Sequence, residues 1–144
     1  MLTLSMRASG KGDARFLLHL EEQCVRGYAV ALWGSWRPSS TVEAFDPAGH
    51  RVLMQGGVDI GCVATEERAD HIWIQKLYVH PDWQNLGVGT WALRHVVNEA
   101  VSARLPVRLS VLVTNPAVGF YEREGFSVSE RSAERIRMVR WPQA

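Results

Sequence analysis

The sequence predicts a mixed α/β fold built around one sheet. Three observations carry that expectation. Apolar spacing alternates along the chain between the two-residue period of strands and the three-to-four-residue period of helices. Glycine, proline and asparagine fall between these stretches, where turns are required. The length of 144 residues suits one hydrophobic core, so a single domain spanning residues 1–144 is expected.

Taken in order, Leu2 to Arg7 alternates and reads as a strand, which Gly10-Lys11-Gly12 breaks. Asp13 is placed to cap a helix running to about Gly27, with Leu17, Leu20, Cys24 and Tyr28 as its buried stripe. Ala29 to Trp33 reads as a second helical piece, and Trp36 to Ser40 as a loop. His50 to Met54 and Val58 to Thr65 are strands joined by a Gln55-Gly56-Gly57 turn. A charged turn, Glu66 to Asp70, leads to Ile72–Val79. That strand is apolar on both faces except at Gln75 and Lys76, which places it in the centre of a sheet. A helix follows, with Val88, Ala92, Val96 and Ala100 on one line and Leu93, Val97 and Val101 beside it. Pro106 ends it. Val107 to Val113 is a strand, Ala117 to Arg123 a short helix stopped at Gly125, and Phe126 to Ser129 and Ile136 to Trp141 are closing strands.

Composition excludes several function classes. Hydrophobic residues make up 47% and charged residues 22%, which is ordinary for a globular protein. Sixteen basic and fifteen acidic side chains give a net charge of +1, with no bulk attraction to nucleic acid or an anionic membrane. Cys24 and Cys62 form no CxxC pair and read as free thiols. His19, His50, His71, His80 and His95 lack HxH or HxxxH spacing, so no metal site is expected. No apolar run approaches the ~18 residues of a membrane span, and the N-terminus lacks the apolar core of a signal peptide. A cytoplasmic protein is the default expectation.

The densest chemistry lies in Gln84-Asn85-Leu86-Gly87-Val88-Gly89-Thr90. A helix start exposes unpartnered N–H groups and the positive end of the helix dipole. Glycines let a backbone approach a ligand closely. Together these suit a pyrophosphate. Thr90 can add a hydroxyl; Gln84 brings an uncharged amide, so the site relies on backbone donors. Gly87-x-Gly89-x-x-Ala92 also satisfies a dinucleotide fingerprint. Against NAD stand the six residues Pro81 to Leu86 between strand and glycines, and the absence of an acid at the end of the next strand, Val113-Thr114-Asn115. The motif also lies past the midpoint of the chain. No GK[ST] supports a Walker A loop. The plain alternative is a glycine turn with no ligand.

A second block decides between these readings. Leu77-Tyr78-Val79-His80-Pro81-Asp82-Trp83-Gln84-x-x-Gly87-x-Gly89, followed by Asn115-Pro116-Ala117-x-x-Phe120-Tyr121-Glu122-Arg123-x-Gly125-Phe126, resembles the GCN5-related N-acetyltransferase (GNAT) superfamily. The likeness covers about residues 57 to 128. The N-terminal part matches loosely, through Tyr28…Leu32-Trp33-Gly34-x-Trp36, which resembles a stretch in some uncharacterised bacterial members.

The resemblance implies a mostly antiparallel, splayed sheet of about six to seven strands flanked by about four helices. It implies acetyl-CoA as acyl donor, with no metal, and an amine acceptor, and it admits a homodimer. In that family two sheet strands part and the pantetheine arm enters the gap. By resemblance, backbone groups of Leu77, Tyr78 and Val79 would pair with the pantetheine amides, as an added strand does. N–H groups of Gln84, Asn85, Leu86, Gly87, Val88, Gly89 and Thr90 would hold the pyrophosphate. Asn115 would bond the arm from the neighbouring strand, and Phe120 and Tyr121 would flank the thioester. The amine would attack directly, with a backbone N–H near Val79 stabilising the oxyanion and Tyr121 protonating the departing thiolate. A packing tyrosine is the alternative for Tyr121.

For the general base, many members place a glutamate on one of two strands. Here those strands offer Gln75 and Lys76, and Ser110, where ribosomal-protein N-terminal acetyltransferases carry the glutamate. Glu66, Glu67, Asp70 and His71 remain as bases acting through water, or as a solvated turn. Tyr28, Trp33 and Trp36, with Gln75, are the expected acceptor wall, or else a core cluster. Glu21, Glu22 and Glu43 would attract a cationic acceptor, or else are surface charges. A longer acyl-CoA donor, and a non-catalytic acyl-CoA sensor, are the competing functions.

Overall fold

In the computed structural model, which describes residues 2–143, seven strands form one open sheet in the order β1-β2-β3-β4-β5-β7-β6. The strands are β1 (Leu4–Ala8), β2 (His50–Gln55), β3 (Val58–Glu67), β4 (Ile72–Val79), β5 (Val107–Leu112), β6 (Ser127–Arg131) and β7 (Arg135–Arg140). The α-helices are α1 (Ala14–Trp33), α2 (Val88–Ala103) and α3 (Val118–Arg123). All strand pairs are antiparallel except β4 with β5, which α2 connects as a crossover. The mixed α/β class is as the sequence predicts, and the mostly antiparallel sheet is as the resemblance implies.

Four helices were expected and three are found, because α1 is continuous. Gly27 sits on the exposed side of α1 and costs it only propensity. The helix stops at Gly34, whose φ of 74° only glycine adopts cheaply. Asp13 holds the N-cap position without capping. Its carboxylate instead takes a forked bond from Arg7 at 3.0 and 2.8 Å and the Gly10 N–H at 2.9 Å. Arg7 also reaches Asp59 at 3.0 Å, tying β1 to β3 and to the start of α1.

The helices cover opposite faces of the sheet. On one face Val88, Ala92, Leu93 and Val96 of α2, Tyr121 of α3 and Phe126 just after it pack against Ile60, Val63, Ile74 and Leu109. Truncating Leu93, fully buried there, would cost about 2–5 kcal/mol. Val101, expected beside this stripe, is exposed, while its neighbour Ala100 is still buried in the core. On the other face Leu17 and Leu20 of α1 pack with Phe45, Val52 and Cys62. Cys24 and Tyr28 continue the same stripe but are only half-buried.

Central to everything below is the β4–β5 junction. Only Ile72↔Val107 and Trp73↔Arg108 pair. Beyond them the strands part. The cause lies on the other edge of β4, where Thr65 faces Ile74 and Ala64 faces Lys76, leaving Gln75 as a bulge. A bulge bends and twists its strand, and here it does so at the point where pairing with β5 ends.

Candidate active site

The parted strands enclose a cleft of about 860 Å³ that crosses the sheet from one face to the other. Its β4 wall is Ile74 to Val79 and its β5 wall Leu109 to Leu112. Gln84, Asn85, Gly89, Asn115, Ala117, Phe120 and Tyr121 line its α2–α3 side. Tyr28, Trp33 and Trp36 line the α1 side with Glu21 and Cys24. Leu77, Tyr78, Val79 and Gln75, singled out in the sequence, thus stand around the same space as the aromatic residues.

Backbone direction follows from the β3–β4 register. The His80 N–H donates to the Ile60 carbonyl at 2.8 Å, and Val79 lies opposite Gly61. Bonded and non-bonded pairs alternate in antiparallel ladders. The backbone groups of Val79 and Leu77 therefore point away from β3, into the cleft, while those of Tyr78 are turned to β3. Gly61 permits this close pairing, since a Cβ there would lie 2.5 Å from the Tyr78 carbonyl oxygen. The Val79 carbonyl accepts from Gln84 Nε2 at 2.9 Å and from Cys24 Sγ at 3.3 Å. The Gln84 amide is thus spent on anchoring the turn to β4.

Asn85 and Gly87 take φ of 63° and 85°. Gly87 is the N-cap of α2, with no side-chain cap and no acid in the first turn. Trp91 N–H to the Gly87 carbonyl, at 3.0 Å, is the first helical bond. The N–H groups of Val88, Gly89 and Thr90 before it have no partner within the helix. The side chain of Val88 is buried in the core and that of Leu86 is exposed, so these two can offer only backbone.

Across the cleft, Asn115 Oδ1 accepts the Ala117 N–H at 3.0 Å, and no hydrogen bond holds its amide nitrogen among the described residues. Tyr121 is buried, edge-on to Phe120 and Phe126 with centroids 5.1 and 5.6 Å away. Burial pushes its phenol up to about 12, so it stays a neutral donor through the physiological range. Burial likewise pushes the Cys24 thiol up to about 11. A thiol so held is a poor nucleophile. The Tyr78 phenol is also pushed upward by burial, then by Glu21.

On the α1 side, Glu21 is buried and Lys76 Nζ lies 3.6 Å from its Oε1. Glu21 Oε2 accepts the Ser39 N–H at 3.0 Å, which pins the loop after α1. The other acids stay away. Glu22 pairs with Arg26 on the surface, and Glu22, Glu43, Glu66, Glu67, Asp70 and His71 are not in the cleft wall. Glu66 reaches it indirectly, accepting from Gln75 Nε2 at 3.2 Å. The Trp33 indole N–H bonds Glu134, and the Arg135 guanidinium lies 5.8 Å from the Trp33 ring centre. Sequence reasoning passed over Arg37, Arg123 and Arg135, all in the wall. Nothing local marks them, since each comes from a different loop or element end. Among the described residues no cluster of three or more His, Cys, Asp or Glu side chains suits a metal ion. No helix among them is long and apolar enough to cross a membrane.

Comparison with known proteins fits this geometry. The family profile described as "Acetyltransferase (GNAT) domain" matches residues 46–128, more than half of the chain. An "Uncharacterized N-acetyltransferase MJ1207" of Methanocaldococcus jannaschii is 28% identical over 152 aligned positions, covering 96% of this chain and 67% of that protein. The human "Cysteine-rich protein 2-binding protein" is 27% identical over 73 residues, covering 51% of this chain; the match spans only 9% of that relative's length. A crystal structure of PaiA N-acetyltransferase from Thermoplasma acidophilum, in complex with coenzyme A, shares the fold. Its TM-score is 0.77 at 14% identity, over 96% of this chain and 99% of that one.

Proposed function

Since the chain belongs to the GNAT acetyltransferase family, we propose that it moves an acetyl group from acetyl-CoA to a primary amine. The acceptor in this reading is a small molecule or peptide, attacking directly in a ternary complex. The observation that carries the reading is the parting of β4 from β5 beside an uncapped helix start. The name of the methanogen relative points the same way.

In this reading, the amides of the Gln84 to Thr90 turn hold the pyrophosphate, where no acidic side chain competes. Leu77 offers its outward backbone groups to the pantetheine amides, Val79 keeps only its N–H free because Gln84 and Cys24 hold its carbonyl, and Asn115 offers its free amide nitrogen from β5's side. Tyr78, with its backbone turned to β3, contributes its half-buried ring to the wall. Phe120 packs beside the thioester. The amine nitrogen attacks the acetyl carbon, and the carbonyl becomes an oxyanion facing the Val79 N–H. The C–S bond breaks, and the thiolate takes a proton from the neutral Tyr121 hydroxyl. The Cys24 thiol, raised by burial, is a poor site for an acyl-enzyme, which favours direct attack. Glu21 is the one carboxylate in the wall, and Lys76 already faces it. The amine is therefore used in its neutral form, its proton going to solvent. The pH profile of kcat/KM follows: a rise toward the acceptor's own pKa, with no inflection in the carboxylate range.

Free-thiol release from acetyl-CoA with an amine panel tests the reading. Turnover with at least one amine is expected. Tight CoA binding with no thiol release across the panel would make the chain a non-catalytic sensor instead. Thermal stabilisation by NAD but not by CoA would overturn the donor assignment.

A further inference from the structure

We propose that the acceptor amine carries a carboxylate, bound on the α1 side of the cleft by Arg37 and Arg135. This rests on the transfer reading above and names its substrate class: an amino acid with an apolar or aromatic side chain.

The argument is one of charge. The cleft wall holds a single acid, Glu21, and its charge faces Lys76 at 3.6 Å. Arg37, from the loop after α1, and Arg135, at the start of β7, also stand in the wall. Among the described residues neither forms an ion pair. Arg135 is instead laid over the ring of Trp33, whose indole N–H is held by Glu134. A guanidinium presents a flat fork of donors that matches a carboxylate. A cationic acceptor, which the sequence acids suggested, would meet like charge here, because those acids are elsewhere or paired.

A second observation lies on the same side. Ser110 Oγ is buried with no hydrogen-bond partner. Its neighbours Leu109 and Val111 face α2, so alternation along β5 turns Ser110 toward α1. Buried hydroxyls are normally satisfied, and Ser110 belongs to the β5 wall of the cleft. Trp33, Trp36 and Tyr28 supply the apolar wall for the acceptor's side chain. Arg123 belongs to α3, on the donor's side of the sheet, and is not part of the proposal.

The test compares phenylalanine and alanine with phenylalaninamide and alaninamide, at pH values that match the neutral amine fraction, by thiol release from acetyl-CoA. The expected kcat/KM for each acid is about tenfold or more above its amide. Arg37→Gln and Arg135→Gln should raise KM for the acid and bring that ratio toward one, with Arg135→Lys partly restoring it. Circular dichroism checks that each variant is folded. Equal or inverted preference in the wild-type protein sinks the proposal. A second arm needs no catalysis: calorimetric titration of N-acetylphenylalanine and N-acetylphenylalaninamide into the CoA-loaded protein. Tighter binding of the acid, lost in both glutamine variants, supports the carboxylate site even if no amine turns over, in which case only the transfer reading fails. Equal binding of acid and amide overturns the site even if amines turn over.

Discussion

The two sides of the cleft are built from different material. Toward α2 and α3 the wall presents mostly backbone: the uncapped start of α2, the outward groups of Leu77 and Val79, and the turn at Asn85 and Gly87. Toward α1 it presents side chains: the Glu21–Lys76 pair, Trp33 with Arg135, and Ser110. A backbone site must satisfy dihedral and steric demands, and those are written as glycines at fixed spacing. A side-chain site can be assembled from any residues that the fold brings together. The first suits a donor common to a family; the second suits an acceptor that differs among its members.

Tyr121 gives the sharpest test of that division, because it is the one side chain on the donor side assigned a chemical step. Tyr121→Phe removes the hydroxyl and keeps the ring that packs between Phe120 and Phe126. The expected loss in kcat is about 100-fold or more, within the range of general-acid catalysis. The dissociation constant for acetyl-CoA should change less than about threefold. The pH profile adds a sign. A phenol raised to about 12 is protonated throughout the assay range, so kcat should show no fall from its ionisation up to about pH 10. Unchanged turnover in steady-state assays would reduce Tyr121 to packing and leave that side with no side chain in a chemical step.

The next effect belongs to the acceptor side, where an ion pair is buried and can be broken. Lys76→Met leaves Glu21 in the wall facing an apolar chain. The expected cost is about 2 kcal/mol, reduced from the fully buried case because the Lys76 side chain keeps 16% exposure. Thermal unfolding should fall by about 4–8 °C for a chain of this size. The double variant Glu21→Leu with Lys76→Met should recover most of that loss, since a buried pair replaced whole is often neutral. A single variant as stable as the parent would mean that water already screens the pair, and the α1 side would then be wetter than its burial implies.

The same division explains what could be read from the sequence. The sheet, the order of its strands along the chain and the glycine turn before α2 are local patterns, and Gly87, Gly89 and the Asn115 to Phe126 block lie within one stretch of chain. The continuity of α1 was missed because Gly27 reads as a break, yet one glycine on an exposed helix face costs only about 1 kcal/mol. Asp13 stands at the predicted cap position but is drawn off by Arg7, a contact between segments that no local pattern encodes. Arg135 was invisible for the same reason. Its partner Trp33 lies about a hundred residues earlier, and neither carries a spacing that points to the other.

The smallest expected effect is the most direct probe of the backbone side, and it turns on the difference between two neighbouring glycines. Gly87 has φ of 85°, so any side chain there is strained by about 1–2 kcal/mol whatever the ligand does. Gly89 has no such constraint. A Cβ there would sit 3.8 Å from Phe120 Cζ and 3.9 Å from Val79 Cγ2, which is ordinary contact. Within α2 alanine is also the better helix former. Gly89→Ala should therefore leave the melting temperature unchanged or slightly raised. If Gly89 is there so that the helix start can approach a pyrophosphate, the added methyl should still weaken acetyl-CoA binding by up to about tenfold, near 1.4 kcal/mol. Gly87→Ala would lose stability in either case and so cannot separate fold from ligand. Calorimetry on Gly89→Ala can. Undiminished affinity would mean that the glycine spacing serves the turn alone, and the donor side would then owe its function to side chains as much as the acceptor side does.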